Sequence, residues 1–295
     1  MNAKRSLQKK IYDNAHEGYV PVYANAKDFV EYMRLHVERA KKYGRFGTSL
    51  KAVKNAAMIK KLALKPGNKV LDAGCGGGIL INQLCALYKV KGYGLDLSKL
   101  AVQRARYAGD KKIVYRNGVL ENNPYKSRMF DAVTSFDVLE HTEYKEKAIK
   151  EIYRVLKPGG SMLLYIISRR DLFTWHWFLR LITFGKLGQD TEGGHFKEMF
   201  ADPYEIKKYA EKAGFNNIRT YYLHSFFTLM LDEVIFSIQK KSAGKKPAGK
   251  KTGMPNSGNK VYNVLKLLLI VLELMEIPWK IFGLSNGFFI TAKKP

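Results

Sequence analysis

The sequence predicts an α/β fold: a mostly parallel sheet of seven strands with helices on both faces, a helical N-terminal extension, and an apolar helical insertion before the last strand. Three observations predict it. Between Lys69 and Ile167, short apolar runs alternate with helical patterns, the order that right-handed βαβ units produce. The first of those runs ends in a glycine-rich turn, "DAGCGGG". Near the C-terminus, a Lys/Gly/Pro/Ser stretch from Lys240 to Lys260 and a long apolar run separate a last strand-like segment, "NGFFITAKKP", from everything before it.

In chain order, "AKDFVEYMRLHVERAKKYGRF" and "SLKAVKNAAMIKKLAL" carry apolar residues at helical spacing, and "KPGN" ends them. Five strand-like runs follow: "KVLDAG", "VKGYGLDL", "KIVYRNG", "FDAVTSFDV" and "SMLLYII". Between them lie the helical patterns "GGILINQLCALY", "KLAVQRARYAG" and "YKEKAIKEIYRVLKPGG", the last with the glycine ending of a helix that turns straight into a strand. After Ile167 comes an aromatic stretch, "RRDLFTWHWFLRLITFGKLG", and then a helix and a strand within "HFKEMFADPYEIKKYAEKAGFNNIRTYYLHSFF". The expected divisions are an extension at 1–66, a core at 67–224, an insertion at 225–285 holding the 240–260 loop, and the last core strand at 286–295.

Charge narrows the partners. With 51 Lys and Arg against 26 Asp and Glu, the chain carries +25, which favours a polyanionic neighbour such as nucleic acid or an anionic membrane surface. Cys75 and Cys85 flank the glycine turn rather than forming a secreted framework, which points to a reducing, cytoplasmic setting. "MNAKRSLQKKIYDNAHEGYV" has basic residues with no apolar segment behind them, unlike a secretory signal.

A strand that ends in Asp-x-Gly-x-Gly-x-Gly (Asp72, Gly74, Gly76, Gly78) brings bare backbone and a helix N-terminus against a ligand. Phosphoryl transfer would need Gly-Lys-Ser/Thr here, and the dinucleotide fingerprint would need glycine where Ile79 stands. Asp96, at the end of the next strand, stands where a carboxylate accepts hydrogen bonds from a ribose diol. Adenosine without a pyrophosphate is what remains.

These residues, with "FDAVTSFDVLEH" and "RVLKPGG" in the same order, resemble the class I S-adenosylmethionine-dependent methyltransferases, a Rossmann-like fold, and within them the methyltransferase type 11 group that includes the ubiquinone O-methyltransferases. The resemblance covers Lys69 to about Thr220 and the last strand. It implies that Asp72, Gly74, Cys75, Gly76 and Gly78 hold the methionine part of S-adenosyl-L-methionine. Asp96 would take the ribose hydroxyls, with Leu97 beside the adenine and Gly118, Val119 and Phe136 completing the pocket. The chain departs from the family at "NGVL", where Val119 replaces the acid that reads the adenine amine; Glu121 or a backbone carbonyl does that work, or adenine selectivity is weaker.

Methyl transfer to oxygen or nitrogen gains most from placing the nucleophile and excluding water. A base serves only a hydroxyl acceptor, and His141 lies just after the fourth strand with an imidazole suited to that role. Asp137, Glu140 and His141 form D-x-x-E-H, similar to the acidic E-x-x-E-H segment of the ubiquinone O-methyltransferases, and could hold a divalent ion, with His195 adding a ligand. In the methyltransferase type 11 pattern His195, Lys197 and Glu198 would line the substrate mouth.

In "VYNVLKLLLIVLELMEIPWKIFG", Lys266, Glu273, Glu276 and Lys280 fall within one narrow helical stripe, and Leu, Ile, Val and Trp fill the rest. Such a helix reads as lying in an interface or over a hydrophobic cleft rather than spanning a bilayer. Trp175 and Trp177 suit headgroup level, and the 240–260 lysines suit anionic lipid. The expectation is a peripherally membrane-associated enzyme that O-methylates a hydrophobic small molecule or lipid intermediate. The alternatives are an RNA methyltransferase using the basic surface, and a methyltransferase of a soluble small molecule whose insertion is a cap or dimer interface.

Overall fold

A computed structural model describes residues 26–43, 50–185, 199–234 and 260–295. Two helices, α1 (Ala26–Tyr43) and α2 (Leu50–Lys60), lead in. The alternating part follows as β1 (Lys69–Ala73), α3 (Ile79–Tyr88), β2 (Lys91–Asp96), α4 (Lys99–Ala108), β3 (Val114–Asn117), β4 (Phe130–Phe136), α5 (Lys145–Val155) and β5 (Leu156–Ile167). Then come α6 (Trp175–Ile182), α7 (Pro203–Ala213), β6 (Asn216–Leu223), a helix α8 at 227–234, α9 (Lys260–Met275), α10 (Ile277–Ile281) and β7 (Gly287–Lys293).

The sheet has seven strands in the order β3-β2-β1-β4-β5-β7-β6. β1 to β5 run parallel, and β7 is antiparallel to both of its neighbours. The sheet is covered on both faces, so its central strands are nearly all apolar. Neighbouring residues on β1 point to opposite cores. Leu71 joins Val133, Leu164, Ile149 and Ile206 on one side, whereas Val70 joins Ala132, Leu163, Ile81 and Val102 on the other.

Local signals set the element ends. Ser98 caps α4 by accepting from the Ala101 N–H at 3.1 Å. Asp202 caps α7 ahead of Pro203, and Gly214 closes it at φ 97°. The Lys157–Gly160 turn belongs to an irregular start of β5, where the pairing with β4 shifts register and Gly159 donates to the Lys294 carbonyl. Helix α1 lies over the glycine turn: the Phe29 ring stands 2.4 Å from where a Cβ on Gly77 would be, and the His36 carbonyl accepts from Gln83 Nε2 at 3.1 Å.

The apolar insertion is built inside out. Glu276 is buried, and its carboxylate accepts from the N–H groups of Phe226 (3.0 Å) and Thr228 (2.8 Å) and from the Thr228 hydroxyl, so the residue between α9 and α10 caps the start of α8. Glu273 pairs with Lys54 of α2 at 2.5 Å and lies 4.0 Å from Lys280. The polar stripe therefore faces the protein, while Leu267, Ile270, Leu274, Ile281 and Phe282 are 50–71% exposed. Trp279 Nε1 donates to the Phe173 carbonyl at 2.7 Å, which joins this face to Leu172, Phe173, Leu181 and Ile182 around α6, all exposed. Among the described residues, no helix is long and apolar enough to cross a membrane. Lys266 has no described side chain, and the 240–260 loop lies outside the described residues but for the start of α9.

Candidate active site

The carboxyl ends of β1, β2 and β4 converge on the glycine turn, and the glycines there have different reasons to be glycine. Gly74 (φ 83°) presses on Val138, whose Cγ2 lies 2.1 Å from an added Cβ, and Gly78 (φ 82°) presses on the Tyr115 hydroxyl at 2.5 Å. Gly76 (φ 50°) has nothing within 4 Å of that position. It faces open space, as a residue that passes close to a ligand does.

Asp96 stands across that space. Its carboxylate accepts from the Gly76 N–H at 2.7 Å and the Ser98 N–H at 2.8 Å, so one side chain holds the turn in place. The N–H groups of Gly74 and Cys75 are both taken by the Leu95 carbonyl, at 2.7 and 3.0 Å. The Cys75 side chain points under β2, where burial pushes its thiol pKa well up. Asp72 is buried behind the turn and accepts from the Thr134 hydroxyl at 2.9 Å. Burial raises its pKa to about 7, the Thr134 hydrogen bond opposes that rise, and the charge of Asp96 adds to it.

The expected adenine side is present but closed on itself. Leu97, Gly118 and Val119 are half-buried, Gly118 donates to the Asp96 carbonyl at 2.9 Å, and Asn117 Nδ2 donates to the carbonyls of Asp96 and Leu97. Glu121 is buried on the far side, within electrostatic reach of Lys145. Phe136 packs edge-on against Phe289 and Tyr165, with ring centroids 5.9 and 6.4 Å away. The open flank of Gly76 beside Asp96 fits S-adenosyl-L-methionine, which supplies an electrophilic methyl group on a sulfonium when bound.

Beyond β4 the chain makes a tight turn. Asp137 adopts a left-handed backbone (φ 56°), and Leu139–His141 form a single turn of 3-10 helix with the His141 N–H on the Val138 carbonyl. Among the described residues no three His, Cys, Asp or Glu side chains gather as metal ligands. Lys51 Nζ donates to the two Asp137 carboxylate oxygens at 2.9 and 2.8 Å. Glu140 is 1% exposed, too enclosed to reach an acceptor, and burial and the neighbouring Asp137 charge raise its pKa. His141 is half-buried on that turn, whereas His195, Lys197 and Glu198 lie outside the described residues.

Lys51 was not among the residues the sequence singled out. It sits 3.7 Å from the centroid of the Tyr165 ring. Burial opposes its charge, but Asp137, Tyr165 and Glu140 outweigh burial and raise its pKa. His224 lies behind this group; burial, then the charges of Lys51, Lys54, Lys280 and His176, lower its pKa to about 3, so it is neutral.

A family model described as a methyltransferase domain matches residues 71–164, which runs from β1 through most of β5. Residues 71–164 are thus a methyltransferase domain, with S-adenosyl-L-methionine as its methyl donor. The chain is 37% identical over 113 residues to the mitochondrial ubiquinone biosynthesis O-methyltransferase of Candida albicans, covering 36% of this chain and 34% of that protein. It is 28% identical over 166 residues to the ubiquinone biosynthesis O-methyltransferase of Nitrosococcus oceani, covering 53% of this chain and 66% of that one. The chain thus spans between a third and two thirds of these curated relatives. Among solved structures, phosphoethanolamine N-methyltransferase 2 of Haemonchus contortus with S-adenosyl-L-methionine shares the fold at a TM-score of 0.58 and 18% identity, over 96% of this chain and 60% of that one.

Proposed function

We propose that the protein methylates an oxygen of a hydrophobic small molecule or lipid intermediate, taken up where the enzyme rests on a membrane surface. The carrying observation is the inverted insertion: α9 and α10 turn their charged stripe inward and a continuous apolar face outward, joined to the aromatic segment before α6. Exposed apolar surface of that extent is costly in water and calls for a covering partner. The net charge of +25 and the adjoining lysine-rich sequence favour an anionic bilayer as that partner. Relatives named ubiquinone biosynthesis O-methyltransferases support oxygen as the acceptor atom. In this reading Asp72, Asp96 and the glycine turn bind the cofactor, and His141 takes the acceptor's proton.

Flotation with phosphatidylcholine vesicles, with and without phosphatidylserine, tests the membrane half. The protein should float with the anionic vesicles at low salt, and Leu267→Ser, Ile270→Ser and Leu274→Ser together should abolish flotation. Failure to float at any salt would overturn it.

A further inference from the structure

We infer that Lys51 is the acceptor-binding residue, a cation that receives the nucleophilic oxygen as an oxyanion at the carboxyl end of β4 and β5. The inference rests on the oxygen-methylation reading and goes beyond it to a residue outside the matched domain.

Position comes first. Helix α2 carries Lys51 over the tips of β4 and β5, where its ammonium meets Asp137, the residue directly after β4, and the face of Tyr165, near the end of β5. The residue after Asp137, Val138, packs on Gly74 of the cofactor turn. Lys51 therefore holds the residue next to the one that packs on the cofactor turn. One helical turn on, Lys54 is tied to Glu273 of α9, which fixes α2 against the insertion.

The pairing is built for exchange. The side chains of Lys51 and Asp137 are 27% and 42% exposed, so solvent screens the pair and another anion can displace the carboxylate at little cost. The ammonium itself is held by more than that carboxylate, since the Tyr165 ring lies beneath it. The charged or titratable groups that face it are Asp137 and Glu140 from the β4 turn, Tyr165 from β5, and His224 from the end of β6. His224 is neutral, Tyr165 is far from ionising, and Glu140 is enclosed with its pKa raised by burial and by Asp137, which leaves Asp137 as the exposed carboxylate an incoming oxyanion must replace.

The chemistry follows. A hydroxyl oxygen attacks a methyl group well only as its proton leaves, and a neighbouring cation lowers the hydroxyl pKa. With Lys51 beside it, the acceptor loses its proton to His141 or to water. The O–CH3 bond then forms as the S–CH3 bond breaks, with the bonding pair staying on sulfur. The oxyanion and the sulfonium neutralise each other, so no oxidant, reductant or further reactant is needed. The acceptor so selected carries an ionisable hydroxyl, because a single cation cannot bring an aliphatic alcohol within reach of neutral pH.

The test uses the full chain with S-adenosylhomocysteine and 4-nitrophenol, whose phenolate absorbs at longer wavelength than the phenol, at a pH below the phenol's own ionisation midpoint. The wild type should raise a saturable phenolate band. Lys51→Met should weaken that binding by about tenfold or more, and Lys51→Arg should retain most of it. Asp137→Asn, by removing the competing carboxylate, should tighten it several-fold, a change that a merely structural Lys51 would not produce. S-adenosylhomocysteine affinity, measured alongside, reports that each variant is folded. A wild type that raises no phenolate band, or a Lys51→Met protein that matches it, would overturn the inference. Methyl label reaching lipid oxygen at equal rates in wild type and Lys51→Met would overturn it while leaving the oxygen-methylation reading intact; label reaching no oxygen in either would overturn that reading itself.

Discussion

The glycine-turn half of the molecule and its apolar insertion obey opposite rules. Around β1, β2 and β4 the apolar residues are buried and the polar edges meet the opening, with Asp96 holding the Gly76 and Ser98 N–H groups. Around α6 and α8–α10 the polar side chains point inward: Glu276 caps α8, Glu233 takes Trp175 Nε1 at 2.7 Å and His176 Nε2 at 2.5 Å, and Arg180 pairs with Asp171. Large apolar side chains are left at the surface there, Phe184 at 95% exposure. A buried polar group is tolerated when its hydrogen bonds are met, as those of Glu276 are by Phe226 and Thr228. The insertion thus leaves an apolar face outward, the face that the proposed membrane docking would cover, whereas the core keeps its apolar residues inside.

The comparison is broken hardest at its tightest contacts. Gly74→Ala drives a Cβ into Val138 at a positive φ and should cost about 3 kcal/mol or more, read as a large fall in thermal midpoint. Gly76→Ala, with open space around it, should lower stability by only about 1 kcal/mol yet abolish measurable cofactor binding by calorimetry. Equal stability losses in the two would refute the division of roles among the glycines. On the other side, Glu276→Ala strands two N–H donors of α8 and should cost roughly 3 kcal/mol in urea denaturation. Leu274→Ser on the exposed face should stay within about 0.5 kcal/mol of wild type while weakening vesicle binding.

Asp96→Ala should weaken S-adenosylmethionine about a hundredfold, since it removes a charged acceptor for the turn and for the ribose together. The smallest effect concerns pH. The folded-state pKa of Asp72 is raised to about 7, so its neutral form is the one that folding favours. That contribution is complete below about pH 4 and is lost as pH rises through about 7. Asp72→Asn should flatten this fall in the thermal midpoint of the cofactor-free protein, and an unchanged profile would assign the slope to other groups.

Much of the core was legible because its signals are local. Strand runs and the Asp72–Gly78 turn each fall within a few residues, and the chain order of β1 to β5 follows from alternation. The Lys51–Asp137 pair joins residues 86 apart, and α2 offers only apolar spacing, which says nothing of where one lysine will point. Glu276 and Thr228 are 48 apart and meet through the fold alone. Helical periodicity found the stripe of Glu273, Glu276 and Lys280 but not its direction, because a stripe looks the same whether it faces solvent or a set of buried donors. D-x-x-E-H suggested a metal from spacing alone, which gives the residue types but not that Lys51 of α2 meets Asp137 after its left-handed turn.

The most direct measurement is where the methyl group goes. The protein, incubated with methyl-labelled S-adenosylmethionine and a cell extract holding its membranes, should place label on oxygen in the lipid-extractable fraction, with none when Asp96→Ala replaces it. Label in the RNA fraction, or in water-soluble products with the membrane fraction empty, would contradict the account.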